Sequence, residues 1–357
     1  MFFKVFHFFR QGLIYMIGVG AIAVLASCSS ESSSSSNDGN AVNCVGGVAT
    51  PSGSLVSYSV VSVGNSGNAD DANGFGAVSY TFNMGKYNVT IAQYTAFLNA
   101  VAKTDPNGLY DPRMATDLNV AGITRSIGPG TSGYVYTAMN NSGDSSNRPI
   151  AYVSWFNAAR FANWMSNNQP VGPQSSTTTE NGAYDLSKTI NEKAVAKNIC
   201  NPNTGKSVAY WIPTENEWYK AAYFSPSYNN TSSSGYYLYS TQSDASPGNL
   251  VGNTSNQMNV IINLLFSVTQ AATLELSQNY LTDVGAYTGS PSYYGTFDQN
   301  GALYQWNDLD GTQGAYRGIR GSFWFAGAQA AQSITYAATA PTFAGNDIGF
   351  RLAATLK

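Results

Sequence analysis

The residue types that carry most enzyme chemistry are scarce in this 357-residue chain. It contains three cysteines, Cys28, Cys44 and Cys200, and a single histidine, His7. Because His7 lies in an N-terminal stretch typical of a signal peptide, the mature chain is expected to lack histidine. Such a chain cannot build a Ser-His-Asp triad, a two-histidine iron site or an ordinary catalytic zinc site.

Carboxylates are the remaining candidates for acid–base chemistry. Asp70 precedes Asp71, and Asp308 lies two residues before Asp310. Carboxylates this close in sequence are usual in solvated turns, whereas a glycosidase needs two acids at a defined separation. These pairs therefore do not predict a hydrolase.

The first 28 residues indicate export and lipid attachment. Lys4 and Arg10 precede an apolar stretch over residues 13–25, and small residues then lead to Cys28. This pattern is typical of a lipoprotein signal peptide, so we expect an acylated Cys28 that anchors the protein to a membrane of the bacterial cell envelope. An uncleaved anchor is the alternative, although the apolar run is short for a bilayer span. Ser29 follows where an aspartate would favour inner-membrane retention, which favours the outer membrane.

Composition limits the partners of the remaining chain. Only 10% of the residues are charged, the net charge is −3, and no run of lysine and arginine is present. Nucleic acid is therefore not expected as a partner. Residues 29–44 are serine-rich and predict a flexible tether, and residues 45–357 predict one globular domain. An oxidising compartment permits a disulfide between Cys44 and Cys200, but sequence alone does not show that they meet.

Capping patterns predict three helices. Thr90 with Gln93, and Thr214 with Glu217, have the spacing of capping boxes, and Ser154 precedes a third apolar pattern of helical period. Glu217 is therefore expected to be a structural cap before it is a catalytic acid. Elsewhere the sequence indicates short strands between long loops. Together these patterns predict an α+β fold.

One such strand is predicted over residues 77–84, and another lies shortly before Arg351. Five ordered motifs over about residues 78–354 add a family resemblance. The motifs are Tyr87-Asn-Val-Thr-Ile-Ala-Gln-Tyr94, Arg148-Pro-Ile-Ala-Tyr-Val-Ser-Trp155, Trp211-Ile-Pro-Thr-Glu-Asn-Glu-Trp218, Phe297-Asp-Gln-Asn-Gly-Ala-Leu-Tyr-Gln-Trp306, and Arg317-Gly-Ile-Arg-Gly-Ser-Phe-Trp-Phe-Ala326 with Ile348-Gly-Phe-Arg-Leu-Ala353. They resemble the formylglycine-generating enzymes, or sulfatase-modifying factors. The resemblance implies a C-type-lectin-like single domain with much irregular structure.

The same resemblance implies that the catalytic residues have been lost. In oxygen-dependent members of the family, two cysteines five positions apart bind copper and oxidise a substrate cysteine. The matching positions here are Phe325 and Ala330. Neither side chain can replace a thiolate, so formylglycine-generating activity is not expected.

The resemblance also implies structural calcium. The ligand positions of one site match Asp298, Gly301, Leu303 and Gln305, and the start of a second site matches Asn249 and Leu250. Calcium prefers hard oxygen ligands, but Gln305 stands where the family has glutamate, which removes a charge and should weaken binding. A hydrogen-bonded turn without metal is an equal alternative.

A ligand-binding region is predicted over residues 323–347. Aromatic residues among small polar ones are typical of binding loops, and the region resembles the variable segment of lectin-fold proteins diversified by retroelements. The predicted contact residues are Phe325, Gln329, Tyr336, Phe343 and Asn346. Phe323 and Trp324 are expected to pack in the core, whereas Phe325 and Tyr336 are expected at the surface.

Two functional hypotheses follow. The preferred one is a lipid-anchored envelope protein that binds a protein or glycan ligand through residues 323–347. The alternative is an envelope oxidoreductase of a maturation pathway that works without the two cysteines, for instance through a metal held by oxygen ligands.

Overall fold

The computed structural model describes residues 44–47, 49, 55–130 and 132–356. The predicted signal peptide with Cys28, and the tether up to residue 43, lie outside this part of the chain. Within the described ranges, no helix has the length and apolar character needed to cross a bilayer.

The described chain is α+β, with short elements and long connections, as the sequence predicts. The helices are α1 (Ile91–Val101), α2 (Arg113–Thr116), α3 (Trp155–Ser166) and α4 (Glu215–Tyr223), with short 3-10 turns at Leu186–Lys188, Tyr228–Asn230 and Ala328–Ala331. The strands are β1 (Val60–Val63), β2 (Phe82–Gly85), β3 (Ile123–Ile127), β4 (Tyr134–Ala138), β5 (Tyr210–Trp211), β6 (Phe224–Ser225), β7 (Gly235–Tyr236), β8 (Tyr304–Asn307), β9 (Arg317–Arg320), β10 (Ala337–Thr339), β11 (Ile348–Gly349) and β12 (Ala353–Ala354).

Two four-stranded sheets organise these elements. The first has the order β1-β2-β12-β5 and is antiparallel throughout. The second has the order β10-β9-β8-β11, in which β8 and β11 are parallel and the other pairs antiparallel. Strands β11 and β12 are separated by only three residues, so the C-terminal segment connects both sheets. Two-stranded ribbons β3-β4 and β6-β7 complete the described strands.

The three predicted helices are confirmed, and their caps have the predicted geometry. Thr90 and Gln93 form a capping box on α1, Thr214 and Glu217 form one on α4, and the Ser154 side chain accepts from the third backbone amide of α3. These bonds satisfy amides that the first helical turn leaves without partners. The apolar faces of α1 and α3 meet in a core of packed rings that includes Tyr94, Phe97, Phe161, Trp164 and Phe350.

The strand predicted over residues 77–84 is wrong in its first half, because β2 begins only at Phe82. The backbone amides of Gly76, Ala77 and Val78 instead donate to side-chain oxygens of Asn216, Asp70 and Asn68, at 3.0, 2.8 and 3.3 Å. Short polar side chains thus take the hydrogen bonds that a neighbouring strand would have received.

Long loops are tied down by buried asparagine amides. Asn163 Nδ2 donates to the carbonyls of Thr179 and Tyr184, at 2.7 and 2.9 Å, and thereby fixes the loop after α3. Asn141, Asn201, Asn259 and Asn279 make equivalent bonds to carbonyls of other segments. Each amide satisfies buried backbone acceptors where no regular ladder is available.

A disulfide joins Cys44 to Cys200, across 156 residues of sequence. The Cα atoms are 5.7 Å apart, within the usual range for such a bond. This resolves the pairing that sequence left open. It also means that both cysteines in the described part of the chain are oxidised.

Arg351 is buried between the two sheets. Its guanidinium donates to Gln305 Oε1 and Phe297 O, both at 2.7 Å, and to Gly85 O and Asn88 Oδ1, at 3.0 and 3.1 Å. Burial lowers the pKa of Arg351 to about 10. One cation thus holds strand β2, the loop before β8 and strand β8 together.

Asp308 is the centre of a second buried polar cluster. Its Oδ1 accepts from Trp155 Nε1 at 2.7 Å and lies 3.0 Å from Arg317 Nε, and its Oδ2 accepts from Tyr184 Oη at 2.7 Å. Burial raises the pKa of Asp308 to about 6, against the opposing field of Arg317. Asp308 is thus a structural anchor and not half of a catalytic pair with Asp310, which caps its own exposed turn through Thr312.

Candidate functional site

Phe325 and Ala330, the two positions that the sequence resemblance pairs with catalytic cysteines, follow strand β9. Gly321 and Ser322 turn the chain there with positive φ values of 105° and 72°. A Cβ at Gly321 would collide with the backbone carbonyl of Gln299, so only glycine fits this close approach. After the turn Trp324 is buried, Phe325 is 41% exposed, and Ala330 lies partly buried in the 3-10 turn that follows.

Phe325 is held at the surface by a cluster of buried rings. Its ring centroid lies 5.5 Å from that of Phe266 and 5.2 Å from that of Trp324. Tyr280 stacks on Trp324 at 5.0 Å and contacts Phe266 at 4.6 Å. Rings packed in this way fix a side chain at little cost in conformational entropy.

The segment that supplies Phe266 and Tyr280 was not identified from the sequence. The Ile261 amide donates to the Ala326 carbonyl at 2.8 Å, and the rings of Phe266 and Tyr280 contact Phe325 and Trp324, so residues 261–281 reach the Phe325 segment at these points. They also expose Leu264 and Leu276, each at 77%. We call Phe325 and residues 261–281 the Phe325 face. The signal that the sequence does contain is composition, because 12 of the 21 residues from 261 to 281 are hydrophobic.

Tyr336 is exposed, as predicted, but belongs to a different cluster. Its ring contacts Phe75 at 5.5 Å, and the guanidinium of Arg320 lies 5.3 Å from its centroid. Arg320 in turn pairs with Glu215 at 2.7 Å. Gln329 is exposed between the two clusters in sequence, and its carbonyl accepts from the Thr335 hydroxyl.

Phe343 and Asn346 form the third part of the predicted region. Phe343 is half-buried against the core, which leaves little of its ring for a ligand. Asn346 Nδ2 donates to Asp117 Oδ2 at 3.1 Å, and its carbonyl accepts from Trp324 Nε1 at 3.4 Å. Asn346 therefore contacts the Phe325 side through Trp324. The structure brings Phe325 and Asn346 into one neighbourhood and places Tyr336 in another.

Glu217 is confirmed as a structural cap. Its carboxylate accepts from the Thr214 amide at 2.7 Å, from Trp211 Nε1 at 3.0 Å and from Tyr80 Oη at 2.7 Å. The side chain is fully buried. Its acceptor capacity is thus used by the fold.

The residues at the first predicted calcium site do not fit a calcium ion. Gln305 Oε1 accepts from Trp218 Nε1 and Arg351 Nε, at 2.8 and 2.7 Å, and both of these groups can only donate. The amide nitrogen of Gln305 must therefore point the other way, where it donates to Asp298 O at 2.7 Å. The Gly301 carbonyl accepts from the Leu303 amide at 2.8 Å. An N–H group turned into the loop cannot ligate calcium.

The Asp298 carboxylate is also engaged, because its Oδ2 accepts from the Gly285 amide at 2.6 Å. Burial raises the pKa of Asp298 to about 6. At the second predicted site, Asn249 Nδ2 donates to Val260 O and Leu265 O, and the Leu250 side chain is exposed. No group of three or more Cys, His, Asp or Glu side chains suited to a metal occurs among the described residues. Calcium binding stays a prediction, and these side-chain directions argue against it.

We expect calcium and chelator to leave the melting temperature of the wild-type protein unchanged, and Gln305→Glu to make it rise with calcium. A carboxylate at this position keeps the acceptor for Arg351 and turns a second oxygen toward Asp298. A ligand that binds only the folded state raises stability. Thermal melts with CaCl₂ or with EGTA measure both effects, and Gln313→Glu, at an exposed position, is the matched control. A wild-type melting temperature that falls in EGTA would instead support calcium binding.

The fold and the site define the class of this protein. The architecture is a C-type-lectin-like α+β domain, with a sharp chain turn at Gly321 and Ser322 ahead of Phe325. The model of the sulfatase-modifying factor enzyme 1-like domain matches residues 45–356. The chain therefore belongs to the sulfatase-modifying factor family. Comparison with curated protein sequences gives no match.

Several solved structures are similar. The crystal structure of CarF matches with 17% identity and a TM-score of 0.47, over 85% of this chain and 100% of that one. Treponema denticola variable protein 1 matches with 17% identity and a TM-score of 0.42, over 84% and 96%. PvdO from Pseudomonas aeruginosa matches with 16% identity and a TM-score of 0.38, over 84% and 92%.

Proposed function

We propose that this protein is a lipid-anchored component of the bacterial cell envelope whose sulfatase-modifying-factor domain binds a protein or glycan ligand through the Phe325 face. Binding, and not turnover, is its role in this proposal. Acylated Cys28 attaches it to the outer membrane, and the serine-rich segment that follows Cys28 acts as the tether.

One observation carries the proposal. At the position of the family's first catalytic cysteine stands Phe325, and its ring is partly exposed on a support of buried rings. An exposed aromatic residue on a rigid support is a typical anchor for a ligand. At the second position, Ala330 supplies no functional group. The cysteines that the described residues contain are bonded to each other and supply no thiolate.

Exposed leucines on the segment that supplies Phe266 and Tyr280 support a ligand contact on this face. Leu264 and Leu276 are exposed on the segment that packs behind Phe325. Large apolar side chains left exposed on a surface segment are typical of interaction sites. No catalytic acid or base is required in this arrangement.

Phe325→Ala is expected to weaken ligand binding by about tenfold or more while leaving the melting temperature nearly unchanged, because the ring is already partly solvent-exposed. The purified protein, immobilised, would be probed with a glycan array and with an envelope extract of the bacterium that encodes it. Retained molecules would be identified and then titrated against each variant. Tyr293→Ala is the matched control, since Tyr293 is 42% exposed.

Equal binding by the wild-type protein and by Phe325→Ala would contradict the proposed contact face. Formation of an aldehyde on a thiol-containing peptide in copper-supplied buffer would contradict the binding-only role and favour the oxidoreductase alternative.

A further inference from the structure

A second concave site lies on another part of the domain. A cleft of about 560 Å³ is formed by residues 69–73, the β6-β7 ribbon and the loop that follows it. None of the five contact residues predicted from sequence lines it. It is therefore a different site from the Phe325 face.

The cleft is lined by carboxylates without a lining cation. Asp70, Asp71 and Asp244 contribute to its wall, and the described lining residues include no lysine, arginine or histidine. Two buried cations are near. Arg320 is paired with Glu215 at 2.7 Å, and Lys220 donates to the Asn65 carbonyl at 2.9 Å.

The three aspartates give the wall a formal charge of −3. Of the two nearby cations, Arg320 is already paired with Glu215, and Lys220 has no carboxylate partner among the described residues. The Lys220 ammonium lies 5.9 Å from the ring centroid of Phe224, and Phe224 lines the wall. Burial lowers the pKa of Lys220 to about 8, which further limits the positive charge that it can provide. A concave surface that is negative overall concentrates field lines and attracts cations.

Aromatic rings form the rest of the wall. Phe224, Tyr228 and Tyr236 line the cleft beside the carboxylates. The negative faces of aromatic rings attract ammonium groups, and rings combined with carboxylates are the usual means of holding one. Apolar rings also contact the aliphatic part of a lysine-like chain.

The walls are fixed before any ligand arrives. Tyr236 Oη donates to the Ala69 carbonyl at 2.8 Å, which joins the β6-β7 ribbon to the opposite wall. Tyr219 Oη donates to Asp71 Oδ2 at 2.7 Å, and Tyr228 Oη donates to Asp244 Oδ2 at 2.5 Å. A cleft held by such bonds loses little conformational entropy when it binds a ligand.

We infer that this cleft binds an ammonium group on an aliphatic chain, as a lysine side chain of a partner protein would present it. Asp70 has a carboxylate oxygen that the fold leaves free to contact a ligand. Its Oδ1 accepts from the Ala77 amide at 2.8 Å, and no hydrogen bond or ion pair to Oδ2 is found within the described part of the chain. Asp71 and Asp244 add negative charge while their oxygens accept from the fold, so Asp70 is the carboxylate that favours an ammonium group over a neutral sugar.

The test uses Nα-acetyl-lysine methylamide as the probe and Nα-acetyl-norleucine methylamide as its neutral counterpart. Titration of the purified chain, followed by NMR or calorimetry, is expected to show saturable binding of the lysine probe only. Asp70→Asn should weaken it by about threefold or more, because one charge is lost while the acceptor for Ala77 remains. Raising the salt from roughly 0.05 M to roughly 0.5 M should weaken it as well.

Asp310→Asn is the matched control, because Asp310 caps a turn in the same way, through Thr312, but does not line the cleft. It should leave the affinity unchanged, and so should Phe325→Ala, which separates this site from the Phe325 face. Absence of saturable binding, equal binding of the norleucine probe, or an unchanged affinity in Asp70→Asn would each overturn the inference. Binding of methyl glucoside in place of the lysine probe would overturn it in favour of a sugar site.

Discussion

Replacing Arg351 by methionine is expected to lower the free energy of unfolding by at least about 3 kcal/mol, since buried acceptors that lose their donor keep the full cost of leaving water. Four acceptors on three segments depend on this guanidinium, and the side chain is completely buried. Methionine fills part of the volume but donates nothing. Urea denaturation at neutral pH gives the difference directly.

Two further variants separate the effect of burial at Arg351 from the effect of removing a positive charge. Arg351→Lys keeps the charge, but an ammonium cannot span the same acceptors, so an intermediate loss is expected. Arg113→Met removes a guanidinium that is 53% exposed and pairs with Asp111 at the surface, and it should change stability by no more than about 0.5 kcal/mol. Equal losses in Arg113→Met and Arg351→Met would contradict the role given to burial.

Asp308→Asn is expected to cost about 3–5 kcal/mol, the range found when a buried ion pair loses one partner. Arg317 would keep its charge in a site that water does not reach. An asparagine nitrogen at the position of Oδ1 would face Trp155 Nε1 and Arg317 Nε, which can only donate, and at the position of Oδ2 it would leave the Tyr184 hydroxyl without its acceptor. Size is almost unchanged, so the loss reports electrostatics and hydrogen bonding and not packing.

Asp185→Asn serves as the comparison for Asp308. Asp185 pairs with Lys188, whose side chain is 72% exposed, and solvent screens that pair. Its loss should fall within about 1 kcal/mol. A similar small change in Asp308→Asn, measured by the same denaturation, would show that the buried cluster is replaceable.

Local signals in the sequence predicted the helices and the fold class well. A capping box is a contact between residues three positions apart, so the spacing of Thr214 and Glu217 is enough to predict it. The strand predicted over residues 77–84 was wrong in part, because a local pattern does not show which distant side chains take the backbone hydrogen bonds. The amides of Ala77 and Val78 donate to Asp70 and Asn68, and that of the preceding Gly76 donates to Asn216, which is 140 residues away in sequence.

The candidate site was predictable only in part. Phe325 and Tyr336 are exposed and Trp324 is buried, as predicted. Their grouping was not predicted, because it depends on Phe266 and Phe75, which approach from distant loops. The direction of the Gln305 amide likewise depends on partners 46 and 87 residues away. The disulfide needed three-dimensional contact to be assigned.

The asparagine hydrogen bonds that fix the long loops affect how the domain responds to salt. Neutral amide-to-carbonyl bonds, such as those of Asn163 and Asn141, are not screened by dissolved ions as charge pairs at a surface are. Loops fixed in this way keep their shape when the salt concentration of the surrounding medium changes. A binding surface formed by such loops is therefore expected to have the same shape at low and at high salt concentration.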